Sequence, residues 1–182
     1  MSIFTDNVGG SNPPSNSTSG WFEISDLATQ SSPILQPTIE GGGVYLTNDQ
    51  LGLTTDDSFL LDGITNSWDV DSFNFLDSGL LVGDNILARV DLSIIPEIVP
   101  QDFSIVYECF DGIDGTGNKI FEFAKVLANT ISSAGDVMNI RDETRFHLIP
   151  LIINGSCKIK ITGTTRFNVT VNTFNFFILR ST

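Results

Sequence analysis

Residue types that commonly do chemistry are sparse in this chain, and none falls into a catalytic spacing. There is one histidine, His147, inside RFHLIP (145–150). A general base needs a nucleophile or an orienting partner, and no Ser or Cys context of that kind accompanies it. His147 therefore reads as a strand residue with a satisfied side chain. Two cysteines, Cys109 and Cys157, stand apart in strand-like surroundings. Together with the histidine they offer at most three soft or borderline ligands, which argues against zinc. They read as buried free thiols of a protein made in a reducing cytoplasm, with a disulfide left open.

Carboxylates are plentiful, 22 in 182 residues, but they are not arranged for a reaction. DDSFLLDGITNSWDVD (56–71) has the oxygen-rich composition that calcium takes, yet its spacing matches no calcium loop. DGIDGTGN (111–118) fails the D-x-D-x-D-G pattern, because Asp111 and Asp114 are three apart. Glycoside hydrolysis needs one selected pair of acids, and nothing selects a pair here. The Asn-x-Ser/Thr triplets at Asn16, Asn154 and Asn168 would matter only in a secreted eukaryotic protein. The expectation is a non-enzymatic chain with no cofactor and no assigned metal ligands, with calcium binding left open.

The charge is skewed along the chain. The net value is −13, and all nine basic residues lie at or after Arg89. Residues 1–88 thus carry twelve acids and no base, whereas residues 89–182 are nearly balanced. Phosphate contacts need clustered Lys and Arg, so nucleic-acid binding is not expected. The acidic half reads as a solvated surface, or as one that meets a basic partner. No run approaches the roughly 18 apolar residues of a membrane helix. MSIFTDNV lacks a basic stretch followed by an apolar one, so neither membrane contact nor a signal peptide is expected.

The elements that carry these residues read as strands. Asn85–Ile95 is the clearest, with Ile86, Ala88, Val90, Leu92 and Ile94 on one parity and Pro96 as its stop. In Phe103–Phe110, residues Phe103, Ile105, Tyr107 and Cys109 share a face, and DGIDGTGN turns the chain into NKIFEFAK. Further strands are expected at GGGVYLTN (41–48), SWDVDSFNF (67–75), Asp136–Ile140, Thr144–Ile149 and Lys158–Thr162. AKVLANTI has apolar residues at helical spacing (124, 127, 128, 131), a competing reading as a short helix. Eight or nine strands with turns every 8–12 residues, and no β-α-β pattern, point to an all-β antiparallel sandwich or barrel.

Residues 1–40 read as an extended N-terminal arm and 41–182 as the β domain. VGGSNPPSNSTSG (8–20) is linker-like, and the arm's apolar anchors include Phe4, Trp21 and Phe22. Some forty extended residues could reach roughly 130 Å, far enough to cross onto a neighbouring subunit.

The last segment, RFNVTVNTFNFFILRST (166–182), carries a further signal. Its apolar residues fall on odd numbers up to Val171 and on even numbers from Phe174, with Phe177 and Leu179 filling the other parity. One extra residue in a strand inverts every later side chain, so a change of side is expected around Asn172–Thr173. Of 174–179, one parity would then fill the core while the other meets a neighbour. Phe174, Phe176 and Ile178 are the candidate oligomer interface, and Phe4, Trp21 and Phe22 the candidate partner-binding residues of the arm.

An ordered pattern runs through the second half. Gly83, Asp84, Ile86, Arg89, Val90, Asp91 and Leu92 form a GD-x-I-x-x-R-V-D-L strand. SIVYECFDGIDG follows, then GSCKIKITGTT, then a final strand ending in Arg180. This pattern, over about residues 83–182, resembles the small jelly-roll virion proteins of tailed bacteriophages. Those proteins serve as capsid decoration (cement) proteins and as fibre or knob domains. The resemblance implies a jelly-roll β-sandwich, a homotrimer, a place on the capsid surface after synthesis in the host cytoplasm, and the major capsid protein or another virion component as partner. It also implies an alternative, a head-fibre or tail-fibre knob binding a host surface glycan, for which Trp21, Trp68 and Tyr107 are candidate contacts. Trp68 and Tyr107, however, sit at core-like positions of their strands.

Overall fold

The structure, a computed structural model, describes residues 19–26, 43–47, 53–65, 72–75, 78–98, 102–128 and 133–180. Among these residues the chain forms ten strands. They are β1 (Ser19–Asp26), β2 (Gly43–Tyr45), β3 (Leu53–Phe59), β4 (Ser72–Asn74), β5 (Asn85–Pro96), β6 (Phe103–Phe110), β7 (Lys119–Ala128), β8 (Met138–His147), β9 (Ser156–Gly163) and β10 (Phe167–Leu179). Sheet A has the order β3-β1-β10-β5-β8. Sheet B has the order β2-β9-β6-β7, with β4 also pairing β9. All pairings are antiparallel.

The strand order is that of a jelly roll. Its pairs are nested: β6 with β7, β5 outside them with β8, β2 and β4 with β9, and β1 with β10. Such a set is one long antiparallel ribbon, and rolling it up adds the pairs β5–β10 and β6–β9. The result is a two-layer sandwich whose inner faces meet in one core.

Strand β5 shows why the sequence commits to this. Its residues alternate between half-buried and buried along the whole length, and Ile86, Ala88, Val90, Leu92 and Ile94 are at most 1% exposed. They face Phe103, Ile105, Tyr107 and Cys109 of β6 and Ile159 and Ile161 of β9. At one end the rings of Phe103 and Phe167 meet edge to face at 5.1 Å, and at the other Phe73 stacks on Phe176 at 4.8 Å.

Strand β10 changes sides at Asn172. Val171 pairs with Leu92, but the next pair is Thr173 with Asp91, leaving Asn172 as an extra residue. The Asn172 Nδ2 donates to Ser93 Oγ at 3.1 Å, so the bulge is anchored to the neighbouring strand. Before the bulge Phe167, Val169 and Val171 point inward, and after it Phe176 and Ile178 do. This corrects the oligomer-interface assignment. Phe176 and Ile178 are 2% and 0% exposed within one chain, so they fill the core and present nothing to a neighbour. The side chain of Phe174 lies outside the described set.

Three other expectations change. Ser19–Asp26 is not part of a free arm: it is an interior strand of sheet A, hydrogen-bonded to β10 on one edge and β3 on the other. The pairing supplies the partner that the second edge of β10 requires. Residues 1–18, including Phe4, lie outside the described residues. AKVLANTI gives no helix over its described part, because Lys119–Ala128 pairs along β6 as the second arm of the hairpin; tertiary pairing overrides the local spacing. The two short strands expected at 136–149 are one strand, β8, in which Asp142 and Thr144 take inward positions.

Deleting Asn172 should invert residues 173–179 and drive Phe176 and Ile178 outward. We expect loss of the cooperative urea transition. Phe176→Ala, which keeps the register, should retain a transition but cost about 3–5 kcal/mol.

Candidate functional site

Among the described residues, a polar cluster centred on Asp142 has the ingredients of acid–base chemistry. Asp142 of β8 is 1% exposed and its Oδ2 accepts from Tyr107 Oη at 2.7 Å and from Thr144 Oγ1 at 3.0 Å. Its Oδ1 accepts from Lys125 Nζ at 2.5 Å. Burial, and then the Asp142 charge, push the Tyr107 phenol well above the usual tyrosine value, so it stays a proton donor to the carboxylate. Phe123 stacks on Tyr107 at 4.8 Å and Phe146 packs edge-on at 5.1 Å. Both oxygens of Asp142 are thus engaged, and the cluster ties the two sheets together at the mouth between β7 and β8, which do not pair with each other. Its arrangement is that of a satisfied buried network.

A second buried acid closes the other end of the pattern read from the sequence. Asp84, 1% exposed, accepts from the Leu81 N–H at 2.9 Å and from Arg180 at 3.2 Å. Arg180 also donates to the Gly79 carbonyl at 2.8 Å. Gly83 adopts φ 101, a left-handed conformation that favours glycine. The Gly-Asp opening β5 and the Arg closing β10 are therefore one clasp, although far apart in sequence.

The remaining candidates have structural partners. His147 is exposed on β8, with Nδ1 3.3 Å from Asn85 Oδ1. Asp111 accepts from the Asn118 N–H at 2.7 Å and from Asn118 Nδ2 at 3.0 Å, which holds its pKa below the usual carboxylate value. Asp114, at φ 56, exchanges two 2.8 Å hydrogen bonds with the Asn74 side chain. The hairpin loop is thereby pinned to β4. Among the described residues, no three His, Cys, Asp or Glu come together as metal ligands. Residues 66–71, with Trp68, lie outside the described set. Tyr107 belongs to the core.

The outer face of sheet A carries the surface that the core does not use. On β5 and β8 it is a ladder of cross-strand polar pairs: Asn85 with His147, Arg89 with Glu143, Asp91 with Arg141, and Ser93 with Asn139. Arg141 Nε donates to Asp91 Oδ1 at 2.7 Å, and Thr173 Oγ1 lies 3.2 Å from Oδ2. Burial would raise the Asp91 pKa, but the Arg141 contact outweighs it and the value is lowered. Such pairs cap the strands and fix their register.

One row of this face is different. Phe59 of β3, Trp21 of β1, Phe177 of β10, Leu87 of β5 and Arg145 of β8 pair in succession, one residue from every strand of the sheet. Trp21 stacks on Phe59 at 4.9 Å and 16°, and lies 6.4 Å from Phe177. Phe59 is 49% exposed, and Leu179 in the next row is 46% exposed. The row lines a shallow groove of about 470 Å³. Among the described residues, the Arg145 side chain has no hydrogen bond or ion pair, unlike Arg89, Arg141 and Arg180 on the same sheet. Trp21, expected as an arm residue, is therefore the centre of this row. Its neighbour Phe22 pairs through its backbone with Phe176, and its side chain is not described. Phe59 and Leu87 were not singled out from sequence, because only the register across five strands assembles them.

No family model matches the chain, and no curated protein matches it. Solved structures that align with it include a chain of an infectious bursal disease virus particle (11% identity, TM-score 0.49, covering 90% of this chain and 32% of that one). Another is the same virus's Gt strain (10%, TM-score 0.48, 89% and 33%). The Eiger TNF of S. frugiperda also aligns (7%, TM-score 0.43, 91% and 94%). This chain spans about a third of the length of these two viral chains. At these scores the likeness is one of outline, and the jelly-roll assignment rests on the strand pairing itself.

The raised Tyr107 pKa has a pH consequence. An unfolded tyrosine titrates near 10, so this group's contribution is fully present below about pH 10 and is lost as pH rises toward the folded value. Urea midpoints should fall more steeply between pH 9.5 and about 11 for the wild type than for Tyr107→Phe. Parallel slopes would contradict this account.

Proposed function

We propose that this chain is a non-catalytic structural virion protein, a capsid decoration protein that binds the phage head shell as a jelly-roll trimer. Its partner in this reading is the major capsid protein, and its place is the capsid surface. The observation that carries the proposal is the aromatic row of Phe59, Trp21 and Phe177 on the outer face of sheet A. A sandwich needs apolar residues on its inner faces only, and a contiguous apolar strip outside marks an association surface. Decoration asks for nothing more than such a surface and a fold rigid enough to hold it. The buried carboxylates of Asp84 and Asp142 and the Tyr107 hydroxyl are already engaged, which accords with a role met by burial and fit.

A second reading has its own support. A flat aromatic row ending in an Arg145 with no partner among the described residues is also a platform on which a host surface glycan could stack, as a fibre or knob domain would use it.

The two separate cleanly. Added to expanded heads that lack it, a decoration protein should bind in a saturating number of copies and raise the temperature at which the heads disrupt. Trp21→Ser with Phe177→Ser should weaken that binding by about tenfold or more while leaving the circular dichroism spectrum unchanged. A stable monomer without affinity for heads would end the decoration reading. Binding to host cells or to a glycan array in the absence of any head would establish the second.

A further inference from the structure

The two cysteines, far apart in sequence, are direct cross-strand partners. Cys109 of β6 and Cys157 of β9 occupy the same register position on the inner face of sheet B, 0% and 4% exposed. Both are free thiols. We propose that Cys109 and Cys157 form an oxidative cross-link site, which a small-molecule disulfide converts into a bond joining β6 to β9 with the fold intact.

Backbone geometry permits it. Directly opposed residues of an antiparallel pair have Cα atoms about 4.5–5.5 Å apart, inside the roughly 4.4–6.8 Å range of disulfides. Their Cβ atoms start at the wide end of the bonded range, so a small approach is needed. Room for it exists: Cys157 borders a core void of about 10 Å³, lined also by Phe73, Phe146 and Phe176.

Access comes from the strand ends. Cys109 is the penultimate residue of β6 and Cys157 the second residue of β9. The β6–β7 register slips between Cys109 and Phe110, and the strand beyond Cys157, β4, is three residues long. Access requires this end to open locally, an event that falls short of global unfolding. The thiols also differ. The proximity of the two thiols lowers the Cys109 pKa against the effect of burial, and raises that of Cys157 together with burial. Cys109 is therefore the attacking sulfur.

The exchange balances. Cys109, as thiolate, attacks the small disulfide, forming a mixed disulfide and releasing one small thiolate. The sulfur of Cys157 loses its proton and attacks Cys109, forming the Cys109–Cys157 bond and releasing the second. The two cysteine sulfurs are oxidised, the two sulfurs of the reagent are reduced, and the two thiol protons pass to the released thiolates. Glutathione in a reducing compartment keeps the pair open, and an oxidising one closes it.

The test uses the reduced full-length protein and oxidised glutathione, at neutral pH without denaturant. We expect non-reducing peptide mapping to show Cys109 linked to Cys157, and Tm to rise by about 10 °C because a long loop is closed. Cys109→Ala and Cys157→Ala should each lack the link and show no rise. The proposal is overturned if the native protein keeps two free thiols or stops at a glutathione adduct while the urea-unfolded chain forms the link. A link that forms natively and lowers Tm would equally overturn it, since the register would then not accommodate the bond.

Discussion

Strand β10 is paired on both edges, with β1 on one side and β5 on the other, and most of the molecule depends on how it meets that condition. Thirteen residues long, it crosses the whole of sheet A and must fill the core at both ends. A regular strand would do so with one parity. Here the sequence places its bulky residues on odd positions first and even positions later, and the extra residue at Asn172 reconciles the two. Because side chains alternate strictly, that single residue decides that Phe176 and Ile178 belong to the core and Phe177 and Leu179 to the outer face. The aromatic row outside the sheet is thus a direct consequence of how the interior is filled.

The polar groups that break the apolar interior are clasps between elements that local pairing leaves unjoined. Asp142 draws together β6, β7 and β8 across the open mouth of the sandwich, through Tyr107 and Lys125. Asp84 joins the start of β5 to Arg180 at the end of β10. Buried carboxylates are costly without donors, and each of these has several. Set at the open side between β7 and β8 and at the start of β5, they help a long ribbon, rolled from pairs distant in sequence, to hold one arrangement of its edges. These carboxylates and the Tyr107 hydroxyl are thus occupied in holding the sandwich together, whereas the aromatic row lies on its outer face.

How much of this could be read in advance depended on how local each signal was. β5 and the β6–β7 hairpin are legible because alternation and turn residues are decided within ten positions. β8 reads as two pieces because its core-facing Asp142 and Thr144 interrupt the apolar pattern; only the Tyr107 hydroxyl across the sandwich shows why polar groups belong there. β7 carries a helical spacing that loses to its hairpin partner. β1 hides behind a linker-like stretch, since its reason to be a strand is β10, at the other end of the chain. The side change in β10 was visible, but a parity switch does not say which half-face is inside. That direction is settled by Phe73 and Ile86, which Phe176 and Ile178 meet only after folding.

By itself the sequence determined the class of structure: short alternating strands, turn-rich connections, no crossover helices and no catalytic spacing. Those properties depend on neighbours a few residues apart, where sterics and hydrophobic periodicity act. Tertiary structure alone decided that Trp21, Phe59, Phe177, Leu87 and Arg145 form one row, that Asp84 and Arg180 form one clasp, and that Cys109 faces Cys157. Each of these joins residues through sheet register, and register is set by burying one face of every strand at once. It is a property of the whole sandwich that no short segment contains.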